Sequence, residues 1–230
     1  DTSRTVYPFD YQIQDMLEGV DIEANFHGTR QDYDQLSFDI GRYVAMWGEL
    51  SLEGFGRFDP SLAAAGKLEG TKTSMYEYIT VRLDDDIKHL VDHGVMSFAK
   101  GEAVRQLFEV HKPVCNVKQG TLVQYDLADH NIMFDGAHTV TGIFDWEAAV
   151  VGDPVLDLAS APTWKTHHPR EAKMIEGYAS VRSLPHFFKE KMNIYTLRTM
   201  LWKMVYAMRA GILNEERKRK FDSSLAPYKL

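Results

Sequence analysis

Three polar residues stand at a fixed spacing around two short apolar segments in the middle of this chain of 230 residues. Asp126 and Asn131 frame one loop, and Asp145 follows the second apolar segment, which gives the pattern D-x4-N-x13-D. Residues 132–134 and 139–144 are predicted strands because they are short, apolar and joined by turn residues. Such an order of strands and loops restricts the fold, since it brings the three side chains to one end of a hairpin.

Each of the three residues suits one part of phosphoryl transfer. A carboxylate beside an attacking hydroxyl can accept its proton, which is the role predicted for Asp126. The amide oxygen of Asn131 and the carboxylate of Asp145 suit a hard cation such as Mg²⁺. Taken one at a time, the three could equally be turn or cap residues, because Asp and Asn favour those positions. Their combination with the strand order favours the catalytic interpretation.

Three segments carry a resemblance to a known family. The sequence Gln-Tyr-Asp-Leu-Ala-Asp-His-Asn at residues 124–131 resembles the H-G-D-L-x-x-x-N loop of the aminoglycoside phosphotransferase family. Residues 144–147 resemble its I-D-W-E segment and residues 152–159 its G-D-P-x-x-D-L-A segment, while weaker similarity covers residues 11–213. The resemblance implies an α+β, protein-kinase-like fold that uses ATP and Mg²⁺ to phosphorylate a hydroxyl of a small molecule.

The resemblance also assigns roles to residues of this chain. It makes Asp126 the catalytic aspartate, with Asn131 and Asp145 as the two metal ligands. Asp157 resembles a buried aspartate that hydrogen-bonds the backbone of the catalytic loop. Gln124 and Tyr125 depart from the family, which has His and Gly there; that His braces the loop, and Gln124 can form hydrogen bonds in its place.

A nucleotide-binding hinge is implied at residues 15–19. Backbone groups of Asp15 and Leu17 would pair with adenine, and Met133 would form an apolar floor beneath it; a plain strand end is the alternative. Fourteen residues precede this hinge, too few for the glycine-rich loop, Lys and Glu of a kinase N-terminal lobe. We therefore expect residues 1–19 to be a residual strand of that lobe plus the hinge. Residues 20–230 would form a mostly helical C-terminal lobe with short β-hairpins around the catalytic loop.

Charge bears on the choice of acceptor. A net charge of −7, from 26 basic and 33 acidic side chains, disfavours nucleic acid as a partner and would suit a cationic acceptor. An aminoglycoside or aminocyclitol fits, with antibiotic resistance as the corresponding role, although related enzymes also act on choline, homoserine, sugars and macrolides. Asp129 and Glu147 are the candidate acceptor contacts, against simple loop roles. The basic run at residues 217–220 is interpreted as a solvated helix end, with an anion patch as the alternative.

A second function class is a truncated or degenerate kinase-like protein that binds a ligand or partner without catalysis. Its supports are Gln124 and the short N-terminal region. For either class we expect a cytoplasmic protein that does not span a membrane. The lone Cys115 fits a reducing compartment, and no apolar run approaches the roughly 20 residues that a bilayer requires.

Periodicity and turn signals predict the remaining elements. We expect an edge or half-buried strand at residues 11–17 and a long surface loop at 54–73. One further short strand is expected at residues 121–123. Helices are expected at residues 33–52, 74–93, 97–111, 169–181 and 194–213.

Overall fold

Helices that bury one apolar face dominate this computed structural model, which describes residues 3–9, 11, 13 and 15–230. Within these residues the α-helices are α1 (Ile22–Asn25), α2 (Arg30–Trp47), α3 (Pro60–Ala64), α4 (Met75–Ile79), α5 (Leu83–Asp92), α6 (Phe98–Val110), α7 (Val155–Ser160), α8 (Glu171–Val181), α9 (Phe188–Arg209) and α10 (Glu215–Leu225).

Local signals explain where several helices begin and end. Thr29 and Asp32 form a reciprocal capping box at the start of α2. The side chain of Ser97 accepts a hydrogen bond from the backbone N–H of Lys100, which caps α6 as predicted. The helix expected at residues 74–93 is instead two helices, α4 and α5, because Arg82 has a φ of 58° and interrupts the helical backbone.

The described strands form two antiparallel sheets. Their bounds are β1 (Val20–Asp21), β2 (Ser51–Leu52), β3 (Phe55–Phe58), β4 (Gly70–Lys72), β5 (Gly120–Val123), β6 (Ile132–Phe134), β7 (Val140–Ile143) and β8 (Val150–Gly152). The small sheet has the order β1-β6-β7, and the large sheet has the order β2-β5-β8-β3-β4. The chain therefore passes from the large sheet to the small one between β5 and β6, and returns between β7 and β8. We call residues 124–131 the first crossing and residues 144–149 the second crossing.

Three expectations about strands and loops are wrong. Residues 54–73 are not one loop, because β3 pairs with both β4 and β8 in the large sheet and α3 lies between β3 and β4. The helix predicted for residues 33–52 ends at Trp47, and its last two residues belong to β2. The described residues at 11, 13 and 15–17 contain no strand, and the first strand starts at Val20; Gln12 and Gln14 lie outside the described residues.

The core is built around α9 and around a close helix pair. Helix α9 packs against α5, α7 and α10 and buries apolar side chains along most of its length. Helices α2 and α8 approach each other at glycines: a β-carbon on Gly177 would lie 1.9 Å from the carbonyl oxygen of Phe38, and one on Gly41 would lie 2.0 Å from that of Met174. The absence of side chains at these two positions lets the helix backbones touch.

The result is a mostly helical α+β chain, as predicted, with a larger sheet than the predicted hairpins supply. None of the described helices combines the length and apolar character that a membrane span needs. The division at residue 19 into an N-terminal strand with hinge and a C-terminal lobe stays a prediction.

Candidate active site

The two crossings are tied together by Gln124, which follows β5 and is fully buried. Its side-chain oxygen accepts a hydrogen bond from the backbone N–H of Asp126 at 2.7 Å, and its amide nitrogen donates to the carbonyl oxygen of Asp145 at 2.9 Å. A weaker contact reaches the carbonyl oxygen of Phe144 at 3.4 Å. One glutamine therefore fixes the first crossing relative to the second.

Asp157 in the first turn of α7 binds the backbone at the start of the first crossing. Its carboxylate accepts hydrogen bonds from the backbone N–H of Gln124 at 3.1 Å, from that of Tyr125 at 2.7 Å, and from the indole of Trp47 at 3.0 Å. Burial raises the pKa of Asp157 to about 6, while these donors oppose the rise. These are the contacts expected of a residue that supports the loop backbone.

The backbone of both crossings adopts left-handed conformations. Tyr125 has a φ of 67° and Asp145 has a φ of 58°, which is unusual for residues with a side chain. The Asp157 hydrogen bond and a 3.2 Å hydrogen bond from the indole of Trp202 to the Tyr125 hydroxyl hold the first of these in place. A positive φ explains why glycine suits position 125 in the family pattern.

Asp126 presents an unsatisfied acceptor. One of its carboxylate oxygens is buried and has no hydrogen-bond partner among the described residues. Burial raises the pKa of Asp126, Asp145 raises it further, and His130, Lys203 and Asn131 oppose the rise. A buried acceptor without a partner is costly, so this atom is suited to receive a hydrogen bond from a bound hydroxyl.

Asn131 and Asp145 lie near that carboxylate and shift its pKa in opposite directions. The side-chain amide nitrogen of Asn131 donates to the backbone carbonyl oxygen of Asp126 at 3.0 Å, and the backbone carbonyl oxygen of Asn131 accepts from the N–H of Phe144 at 3.1 Å. Both residues offer hard oxygen ligands, which fits Mg²⁺. The described residues hold no cluster of three or more His, Cys, Asp or Glu side chains. A metal here would therefore take its other ligands from a nucleotide and water, as Mg²⁺ commonly does.

Asp129 does not face a substrate cavity, contrary to prediction. It is 3% exposed, and Arg170 donates to its carboxylate at 3.0 Å. The hydroxyl of Tyr33 donates to the same carboxylate at 3.0 Å, and Arg170 also binds the carbonyl oxygen of Leu127. Because its oxygens are occupied by this buried ion pair, Asp129 braces the first crossing.

A cavity of about 550 Å³ opens beside Asp126. Glu147 also lines it, so its predicted acceptor contact stays a prediction. The basic run at residues 217–220 is not a helix end, because it lies within α10. Arg217 and Lys220 from this run face the cavity together with Lys203 of α9.

The hinge residues lie near the small sheet. Leu17 packs over the β6–β7 hairpin, where a β-carbon on Gly142 would lie 2.7 Å from Leu17 Cδ1. Gly142 is the register partner of Met133, so the structure brings Leu17 and Met133 to one region. Asp15 is exposed. Their adenine contacts stay predictions.

Sequence reasoning missed three residues of this region. Arg170 and Tyr33 carry no local signal, because their partner Asp129 is 41 and 96 positions away. Lys203 did carry one: it is the only charged residue in the stretch Met-Leu-Trp-Lys-Met-Val-Tyr-Ala-Met at residues 200–208. A single charge in an apolar helix segment indicates a buried or functional group.

Comparisons with known proteins agree with this geometry. The sequence profile described as the phosphotransferase enzyme family matches residues 1–187, whereas no curated protein sequence matches the chain. A thermostable mutant of aminoglycoside phosphotransferase APH(4)-Ia, solved with AMP-PNP and hygromycin B, superimposes with a TM-score of 0.64 and 17% identity over 93% of this chain and 70% of that one.

Two further structures share the fold. A putative fructosamine-3-kinase from Thermobifida fusca YX-ER1 gives a TM-score of 0.61 and 17% identity over 86% of this chain and 66% of that one. Macrolide 2'-phosphotransferase MphH from Brachybacterium faecium gives 0.56 and 16% over 92% and 68%. These neighbours establish a kinase-like fold for the chain.

Proposed function

The chain belongs to the phosphotransferase enzyme family, and from that premise we propose that it transfers the γ-phosphoryl group of ATP to a hydroxyl of a small molecule. The neighbouring folds include small-molecule kinases, one of them solved with AMP-PNP. The observation that carries the proposal is the unpartnered carboxylate oxygen of Asp126, held beside Asn131 and Asp145 at the mouth of a cavity.

The proposed reaction is an in-line displacement. The acceptor oxygen forms a bond to the γ-phosphorus while the bond from that phosphorus to the β–γ bridging oxygen breaks, and ADP leaves. The acceptor proton passes to the Asp126 carboxylate. Because Asp126 must be ionised to accept it, the raised pKa of this group makes it a stronger base than an exposed aspartate.

The neighbouring residues position the reactants. Asn131 and Asp145 would hold Mg²⁺, which neutralises charge on the phosphates. Asp15, Leu17 and Met133 would contact the adenine. The hydrogen bonds of Gln124 and Asp157 keep the two crossings in register, so that the base and the metal ligands stay at a constant separation.

Gln124 no longer favours the alternative of a binding protein without catalysis. That alternative had two supports, the short N-terminal region and the loss of the histidine that braces the loop, and only the second concerns Gln124. The buried side chain of Gln124 makes the bracing contacts to Asp126 and Asp145, so the substitution keeps the support.

Asp126→Asn tests the catalytic role. The substitution preserves size but removes the charge, so the turnover number of phosphoryl transfer should fall about 10²–10⁴-fold, the range for a general base. ADP release would be followed against a panel of hydroxylated amines, aminoglycosides, hydroxy acids and phosphorylated polyols. Asp85→Asn, on the exposed face of α5, is the matched control and should retain activity. If Asp126→Asn keeps most of the wild-type rate with the best acceptor, Asp126 is not the base.

A further inference from the structure

Helix α9 carries three cations that point into the protein, and two of them are paired. Lys191 lies 2.6 Å from a carboxylate oxygen of Asp153, and Arg198 lies 2.9 Å from one of Asp86. Lys203, further along the same helix, has no carboxylate within 4 Å among the described residues. Buried cations are normally paired; Lys203 is partly buried, lacks the direct ion pair that the other two have, and has its main charge interaction with Asp126.

Thr163 and Trp164 hold the ammonium group of Lys203 at the wall of the cavity. Its ammonium nitrogen donates to the hydroxyl of Thr163 at 2.6 Å and lies 3.1 Å from the ring centre of Trp164. Lys220 of α10 donates to the carbonyl oxygen of Trp164 at 2.5 Å. Two ammonium groups thus converge on the same two residues of the cavity wall.

These cations repel one another. Burial lowers the pKa of Lys203 to about 6, and Lys220, Arg170 and Arg217 contribute to the lowering, opposed by Asp126. The pKa of Lys220 is lowered by burial as well. An anion bound between Lys203 and Lys220 would relieve this repulsion and restore both charges.

Four acidic residues also line the cavity, Glu23, Asp126, Glu147 and Glu216, and none of them forms an ion pair with Lys203 among the described residues. Glu216 lies 3.7 Å from Lys220 in a pair whose Lys and Glu side chains are 30% and 51% exposed, a long and partly exposed contact that contributes little. Glu23 pairs with His130 at 2.9 Å, away from Lys203. Asp126 is the carboxylate that the proposed reaction uses.

A smaller cavity that Asp126 also lines has mainly basic side chains among its charged ones. It measures about 260 Å³, and its lining includes Arg57 and Arg82 together with Trp164 and Trp202. Among the described residues, Asp126 is the only acidic one that lines it. Positive groups therefore border the reacting carboxylate in both cavities.

We propose that the acceptor carries an anionic group, a carboxylate or a phosphate, which binds Lys203 and Lys220 while its hydroxyl meets Asp126. This inference rests on the proposed function for the assignment of the cavity to the acceptor. The phosphates of the nucleotide belong with Asn131 and Asp145, which do not line this cavity. A polycationic aminoglycoside would oppose the charging of Lys203 and Lys220, whereas an anion favours it, which disfavours the aminoglycoside as the acceptor.

The test compares four probes that share a three-carbon hydroxylated skeleton. Glycerate and glycerol 3-phosphate are anionic, glycerol is neutral, and 3-amino-1,2-propanediol is cationic. Binding would be followed by the indole ¹H–¹⁵N signal of Trp164, assigned with Trp164→Phe. We expect saturable shifts of this signal with one or both anionic probes, and no shift with glycerol or 3-amino-1,2-propanediol at the same concentrations. Comparison of glycerate with glycerol 3-phosphate separates carboxylate from phosphate recognition.

Lys203→Met keeps the apolar stem and removes the charge. We expect it to weaken binding of the anionic probe about ten-fold or more, as for loss of a charge-assisted hydrogen bond. Lys189→Met, an exposed lysine of the same helix, is the matched control and should bind as the wild type does. Thermal unfolding of each variant checks that the fold is retained.

Three results would overturn the inference. One is equal binding of the anionic and cationic probes, and another is unchanged affinity in Lys203→Met. The third is displacement of the anionic probe by Mg-AMP-PNP with the same Trp164 shift, which would assign Lys203 to nucleotide phosphate. Because the assay measures binding, loss of phosphoryl transfer refutes the proposed function and leaves this result standing.

Discussion

Gln124 offers the sharpest test of how the two crossings are held together. Gln124→Ala removes the acceptor for the N–H of Asp126 and the donor for the carbonyl oxygen of Asp145. Both hydrogen bonds are partly buried, and the expected cost is that of the N–H of Asp126 alone. The N–H of Asp126 is partly buried, and a buried donor left unpaired costs about 1–3 kcal/mol.

A cavity adds to this cost. Gln124 is fully buried, and truncation also removes a buried methylene, worth about 1 kcal/mol. The two contributions give about 3 kcal/mol of lost unfolding free energy. For a chain of this size each 1 kcal/mol corresponds to about 2–4 °C, so the melting temperature should fall by about 6–12 °C.

Activity should fall more steeply than stability. Asp126 and Asp145 lose their common tether, and a misplacement of about 1 Å can cost about 10²-fold in rate. Gln124→His, which introduces the residue of the family pattern, should retain most of the stability and the rate. Gln124→Glu keeps the acceptor for Asp126 but loses the donor to Asp145 and adds a third carboxylate, so it should remain folded yet turn over slowly.

The assays are urea unfolding at equilibrium and ADP release with the best acceptor. Gln106→Ala, on the exposed face of α6, is the control and should change stability by less than about 0.5 kcal/mol. If Gln124→Ala unfolds within that margin of the wild type, the side chain does not brace the crossings and the reasoning is refuted.

Two further predictions concern packing and charge. Gly177→Ala should lower the unfolding free energy in urea by about 1–3 kcal/mol, because the new β-carbon meets the backbone of Phe38. Gly136→Ala, with open space around it, is the control. Equal unfolding free energies for the two variants would show that α2 and α8 can separate freely. The pKa of Lys203 is about 6 in the folded protein, below its ordinary value of 10.5. Charged Lys203 therefore destabilises the folded state, fully below pH 6. This loss of unfolding free energy is relieved as pH rises towards 10.5, by at most about 1.4 kcal/mol per pH unit. Lys203→Met should therefore exceed the wild type in stability more at pH 5.5 than at pH 8.5, and a pH-independent difference in urea unfolding would contradict this.

Elements that depend on neighbouring residues were predictable from the sequence. Helix α6 follows its Ser97 cap, and β6 occupies the predicted residues 132–134. The spacing of Asp126, Asn131 and Asp145 likewise identified which loops meet.

Features that depend on distant partners were not predictable. Strand β3 has a glycine-rich, irregular sequence and becomes a strand because β8, about 95 positions later, pairs with it. The burial of Asp129 depends on Arg170 and Tyr33. For Lys203 the decisive fact is the lack of a carboxylate partner, which only the packing of α9 against its neighbours reveals.

The arrangement of the two sheets places the residues proposed for catalysis and the residues proposed for acceptor recognition on different elements. The groups proposed for chemistry lie on the two crossings, which connect the small sheet to the large one. Lys203, Arg217 and Lys220, which border the cavity beside Asp126, lie on α9 and α10, outside either sheet. New acceptors can therefore arise through exchanges on these two helices while the crossings stay the same, so close relatives that share the catalytic loop can differ in the sign of charge that they recognise.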